Sequence, residues 1–229
     1  MQRCVHCLVG KQNRAAFHSR PPKRREAILE LVHTDVCYVD TSSHRGGQYF
    51  VTFIDDYSRK LWAFVLKSKD QELSFFKEFQ PRAKRESGQK LMAVRTDNGG
   101  EYRGQFKEYC KFQGIRLEYT VSKTPELNRL AERMNRTIVE RVRSILMHAK
   151  LPKSYWAEAM YTAVYLINRS PSVPLKGDVP HRVWTGKDVS FQGHCVGHSK
   201  GSEVEAPQQV EPCIFLGYSG CGIYSTRKW

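Results

Sequence analysis

Between residues 29 and 66 the chain repeats one pattern three times, a short apolar run followed by a polar break. Residues 29–39, 48–54 and 61–66 predict strands, separated by the turns Ser42-Ser-His-Arg-Gly-Gly47 and Asp55-Asp-Tyr-Ser-Arg-Lys60. Breaks this short predict an antiparallel meander. The period then changes. Residues 72–85 carry Leu73, Phe76, Phe79 and Ala83 at helical spacing, and residues 91–96 return as a short apolar strand ending at Asp97-Asn-Gly-Gly100. A helix fits 104–112 and a strand 115–120. After Pro125 the periodicity is strongest: Leu127, Leu130, Met134, Ile138, Val142, Ile145 and Leu146 mark one face of a long helix. Another helix is expected over 154–168, with Ser154 as its N-cap and Trp156, Met160, Val164 and Ile167 on its buried side. Such an order, strands first and then alternating helices and strands, predicts an α/β protein whose mixed five-stranded sheet is flanked by helices.

Beyond Ser170 the periodicity fades into prolines and glycines, which read as a linker, and 213–218 with 222–224 suggest a terminal hairpin. The expected organisation is a basic arm over 1–20, a core over 21–188 and an irregular extension over 189–229.

Charge narrows the choice of partner. Thirty-seven Lys and Arg oppose 23 Asp and Glu, a net charge of +14 that favours a polyanion. Half of it lies within the first 25 residues, which hold seven basic residues, Lys23, Arg24 and Arg25 among them, and no acid. That arm suits contact with nucleic acid, and its 20–25 segment resembles a nuclear-import patch, so the nucleus is the expected location. No window approaches the roughly 18 apolar residues of a membrane span. The N-terminus has no apolar leader region, so the seven cysteines are read as thiols or metal ligands.

The informative residues are acids. Asp35 interrupts an otherwise apolar strand, Asp97 follows another strand and enters a glycine turn, and Glu132 lies near the start of the long helix. Each has an ordinary reading, as an edge-strand, turn or solvent-facing residue. Together, two acids at the sheet and one on a following helix can offer oxygens to two Mg²⁺ ions about 3.5–4 Å apart, the arrangement of in-line phosphoryl chemistry. Asp55 and Asp56 compete for this role, but adjacent strand side chains face opposite ways, and both are assigned to the hairpin turn. Glu101 is assigned to orienting the Asp97 loop.

Four segments carry a resemblance: Val-His-Thr-Asp35, Phe53-Ile-Asp-Asp-Tyr-Ser-Arg-Lys60, Arg95-Thr-Asp-Asn-Gly-Gly-Glu-Tyr102 and Ala131-Glu-Arg-Met-Asn-Arg-Thr137. They resemble the integrase core of copia-type LTR retrotransposon polyproteins, a ribonuclease H-like fold. The resemblance implies that Asp35, Asp97 and Glu132 are the catalytic, metal-binding set, with Mg²⁺ the expected ion and Mn²⁺ a substitute. It also implies a 3′-hydroxyl attacking a target phosphodiester, a homo-oligomer on DNA, and retroelement ends and a target duplex as partners. Cys4-Val-His-Cys7 resembles the end of the zinc module that precedes such cores. Zinc binding is not expected here, since the upstream histidine ligands are missing.

Six basic residues on the long helix, Arg129, Arg133, Arg136, Arg141, Arg143 and Lys150, against Glu132 and Glu140, would grip phosphates, with Asn128 at the helix entrance. One departure from the family stands out. Its Pro-Gln-Gln-Asn-Gly is Pro125-Glu-Leu-Asn-Arg129 here, which sets a repelling carboxylate near the DNA path and removes a glycine. Three readings therefore stay open: an integrating polynucleotidyl transferase, a silent DNA-binding remnant of one, and a related metal-dependent nuclease.

Overall fold

The computed structural model describes residues 24–97, 99–120 and 129–189, with the backbone of 214–219 and 222–226. Cys4, Cys7, Lys23, Glu126 and Asn128 lie outside the described residues.

The three predicted strands form the meander. Strand β1 (Val32–Tyr38) pairs antiparallel with β2 (Tyr49–Asp55), which pairs antiparallel with β3 (Leu61–Leu66). Helix α1 (Glu72–Ser87) crosses over to β4 (Ala93–Thr96), parallel to β1, and α2 (Gln105–Phe112) leads to β5 (Arg116–Tyr119), parallel to β4. The order β3-β2-β1-β4-β5 is a mixed sheet, as the element sequence predicts. Helix α1 runs through Pro81 and stops at Gly88, whose φ of 71° is left-handed and suits a residue without a side chain. Helices α3 (Arg129–Ala149), α4 (Trp156–Arg169) and the short α5 (Pro180–Thr185) follow, and β6 (Ile214–Ser219) and β7 (Gly222–Thr226) form the expected antiparallel hairpin.

Side-chain alternation divides the core in two. Val32, Val51, Phe53, Trp62 and Val94 meet α1 and α2, where Phe53 stacks on Phe79 at 4.6 Å between centroids. Phe50, Ile54, Leu61 and Ala63 meet Ala131, Ile138, Met160 and Ala163 of α3 and α4. Asn168 of α4 pins the second layer. Its buried amide accepts from the Leu61 N–H at 2.9 Å and donates to the Leu61 carbonyl at 2.8 Å, extending the ladder of β3 by a side chain.

Two expectations change. Residues 171–188 are not a loose linker: Trp184 of α5 is buried edge-on against Trp62 at 4.8 Å, so an apolar anchor orders a proline-rich stretch. Ser154 is not an N-cap. It sits inside the 3₁₀ turn Lys153–Tyr155, α4 starts at Trp156 with no side-chain cap, and the Ser154 carbonyl accepts the His44 N–H instead.

Candidate active site

Asp35 lies midway along β1 on the face toward α3, while Thr34 and Val36 face the other layer. The parallel ladder pairs Val32 with Val94 and His33 with Arg95, and Asp97 follows directly on the end of β4, close enough for its charge to act on Asp35. On α3, the residues Glu132, Asn135, Arg136, Val139, Glu140 and Arg143 recur every three or four positions and form a stripe facing β1. Between this stripe and residues 35–38 lies an open cleft of about 820 Å³.

Asp35 senses the other two acids. Burial, then the charges of Asp97 and Glu132, push the Asp35 carboxyl up to about 7, against a hydrogen bond that favours its ionised form. That bond comes from Asn135, whose Nδ2 donates to Asp35 Oδ2 at 2.9 Å while its Oδ1 accepts from Thr52 Oγ1 at 2.8 Å. Asp97 Oδ1 accepts the Gly99 N–H at 3.0 Å, so the turn role and the site role coexist. A Cβ on Gly99 would fall 2.7 Å from Glu101 Oε2 and 2.9 Å from Asp97 Oδ1, so a side chain there would push these two carboxylates aside. Below the loop, buried Tyr102 shares a hydrogen bond with Thr34 Oγ1 at 3.2 Å, next in the chain to Asp35.

Oxygen donors in mid-strand, just past a strand end and on a helix are the donor chemistry of a hard divalent cation. The convergence is electrostatic rather than a closed cage: among the described residues no three His, Cys, Asp or Glu side chains are grouped so as to hold a metal ion, and Glu132 is exposed at the cleft.

Other predicted site residues fall elsewhere. Arg133, Arg136 and Arg143 are exposed on α3, and Arg136 and Arg143 line the cleft. Arg129 and Arg141 are half-buried on the same helix. Arg24 and Arg25 sit at the opposite end of β1. The Arg25 N–H donates to Asp56 Oδ2 at 2.7 Å and its guanidinium pairs with Glu30 and Glu118, while Arg24 donates to the Pro174 carbonyl and lies over the Tyr57 ring. Those contacts anchor the chain entrance, and the structure does not bring either arginine to the carboxylates. Asp55 takes up its turn role, accepting from the Leu29 and Ser58 N–H groups. Against the upward push of burial, contacts with His33, the Arg25 N–H and Arg59 hold Asp56 down at about 2.

Sequence reasoning missed Asn135. Its one signal is its place three residues after Glu132, on the same helix face. Asn135→Ala should strip Asp35 of its orienting donor and lower metal affinity and activity about 10–100-fold, as loss of such supporting contacts does. A metal titration beside an activity assay checks this.

Comparison with known proteins decides the family. Residues 26–125 match the integrase core domain. The chain is 51% identical over 99% of its length to the retrovirus-related Pol polyprotein from transposon TNT 1-94 of Nicotiana tabacum, spanning 18% of that protein. The chain carries a retrotransposon integrase core. This integrase core is 32% identical over 94% of its length to the Pol polyproteins of the Arabidopsis thaliana transposons RE1 and RE2, spanning 15% of each. Its fold matches a chain in the cryoEM structure of the simian T-cell lymphotropic virus intasome in complex with PP2A regulatory subunit B56 gamma, with a TM-score of 0.58 and 18% identity over 89% of this chain and 69% of that one. The matched integrase segment includes Asp35 and Asp97, and α3 with Glu132 follows it.

Proposed function

We propose that this core joins retroelement cDNA 3′ ends to target DNA by metal-dependent polynucleotidyl transfer. The observation that carries the reading is that the charges of Asp97 and Glu132 both act on the largely buried Asp35, which lines one cleft with Glu132 beside a helix that presents arginines. The family match and the polyprotein relatives support it.

Asp35, Asp97 and Glu132 would hold divalent cations, Mg²⁺ by expectation and Mn²⁺ as a substitute. When bound, such ions activate an attacking hydroxyl and stabilise a leaving oxygen. Everything else falls to the chain. Asn135 holds the Asp35 carboxylate toward the cleft, Tyr102 fixes the Asp97 loop under β1, and Arg133, Arg136 and Arg143 take backbone phosphates. The resemblance to oligomerising DNA-end enzymes supports assembly as a homo-oligomer on DNA, and the substrate supports residence in the nucleus. Among the described residues no helix is long and apolar enough to cross a membrane.

Glu126 and Arg129, standing where the family pattern has a neutral amide and a glycine, favour a second reading, a DNA-binding remnant without chemistry. One experiment divides them: strand joining of a labelled duplex end with Mg²⁺ or Mn²⁺, with binding measured across salt concentrations. Joining supports the transferase. Cleavage alone supports a nuclease, and binding with neither supports the remnant. In the same series Arg136→Ala and Arg143→Ala should each flatten the dependence of log K on log salt by about 0.9 for every phosphate the variant no longer neutralises. Slopes equal to wild type would remove both arginines from the DNA surface.

A further inference from the structure

We propose that Tyr38 is a base-stacking residue, and that with Arg136 and Arg143 across the cleft it forms a subsite for an unpaired nucleotide near the phosphate at Asp35. The inference rests on the proposed DNA-joining function, in which Asp35 lies at the reacting phosphate.

Tyr38 closes β1 three residues beyond Asp35, roughly 10 Å along the strand, a distance of about three nucleotides at 3.4 Å each. It lines the same cleft as Asp35 and Glu132. Strand alternation turns it to the opposite side from Asp35, yet it reaches the cleft where the strand edge is open: the ladder to β4 covers only Val32 and His33, so β1 has no described neighbour on that side from Val36 to Tyr38. The ring leans on Tyr49, 5.3 Å between centroids at 55°, and Tyr49 in turn lies under Lys69 Nζ. Even with that support Tyr38 is 55% exposed, whereas Trp62, Trp156 and Trp184 are each under 7%. A large ring held from one side and left open beside the cleft carboxylates has area to offer a flat, apolar ligand.

The opposite wall selects which ligand. Glu132, Arg136, Glu140 and Arg143 alternate in sign along the α3 stripe. Arg136 and Arg143 are exposed and make no ion pair among the described residues. A neutral aromatic side chain on one lip of the cleft and two guanidinium groups on the other match a nucleotide, with its base on the ring and its phosphate toward the arginines. A base still paired inside a duplex cannot reach a side chain face to face, so the nucleotide must be frayed or already single-stranded. Tyr38 would thereby favour DNA ends whose terminal pairs open easily.

The test uses the full chain and duplexes carrying 2-aminopurine at the first to fourth positions from a reacting 3′ end, with that end either paired or mismatched. Stacking quenches this base. With the wild type, quenching should appear at one or two adjacent positions. It should survive in Tyr38→Phe, which keeps the ring, and vanish in Tyr38→Ala. Affinity for the mismatched end should fall about 5- to 100-fold in Tyr38→Ala, while affinity for a blunt, fully paired duplex stays level. Equal quenching by wild type and Tyr38→Ala overturns the proposal, as does loss in Tyr38→Phe, which would mark a hydroxyl contact. A change in sedimentation with unaltered quenching also overturns it, assigning Tyr38 to a contact between copies. Failure of the wild type to bind any DNA defeats the proposed function along with this subsite, an outcome distinct from binding without stacking.

Discussion

Asp97→Asn should reduce strand joining by about three orders of magnitude or more while leaving DNA binding within a few-fold of wild type. The amide has the shape of the carboxylate, and its oxygen can still accept the Gly99 N–H, so the turn after β4 persists. What disappears is one negative oxygen of the proposed cation-holding set. Metal-ion stabilisation of developing charge is worth several kcal/mol, and each 1.36 kcal/mol is a decade of rate. Loss of one arginine would instead weaken binding uniformly and leave the rate at saturation almost intact. Joining and filter binding on one preparation separate these effects. Activity in Asp97→Asn close to wild type would remove Asp97 from the chemistry.

Glu72→Gln should stabilise the fold, and the gain should grow with pH. Glu72 opens α1 but is 1% exposed, and neither carboxyl oxygen has a hydrogen-bond partner among the described residues. Burial first, then the charge of Glu101, push its carboxyl up to about 9. In the unfolded chain it loses its proton near 4.5. Between those values the folded state binds one more proton than the unfolded state, so stability falls as pH rises. From pH 4.5 to 7 the loss is about 3 kcal/mol at 1.36 kcal/mol per unit. Denaturant melts of both proteins should nearly coincide at pH 4.5 and diverge by about that amount at pH 7. Parallel curves across the range would show that Glu72 is hydrated or paired in solution.

Where one local rule dominates, the sequence is easy to read. The apolar run 61–66 matches β3 residue for residue, and the sheet and its helices follow from periods of two and 3.6. The two aspartates are visible because acids in or just after apolar strands are conspicuous, whereas Glu132 stands out only through the resemblance of its segment. Three other features depend on residues far apart in the chain. Asn135 interrupts an amphipathic face, and only the packing of α3 on β1 turns that interruption into a hydrogen bond to Asp35. Glu72 reads as an ordinary first-turn acid until Tyr102 and α2 close over it. Trp184 is hidden among prolines and glycines, where no periodicity announces that it meets Trp62. The arginines at 24 and 25 mislead in the opposite direction: a basic run suggests DNA, but these two are held by Pro174, Tyr57, Glu30 and Glu118.

Cation binding by the three carboxylates is the step on which the proposed chemistry depends. Free Mn²⁺ can be followed by its paramagnetic resonance signal as the full chain is titrated at pH 7.5, with a DNA end present, for wild type and for Asp35→Asn, Asp97→Asn and Glu132→Gln. Wild type should capture the ion, and each substitution alone should weaken capture at least about tenfold, because the three side chains act as one set. Capture that is absent in wild type, or unchanged in Glu132→Gln, would contradict a shared metal site.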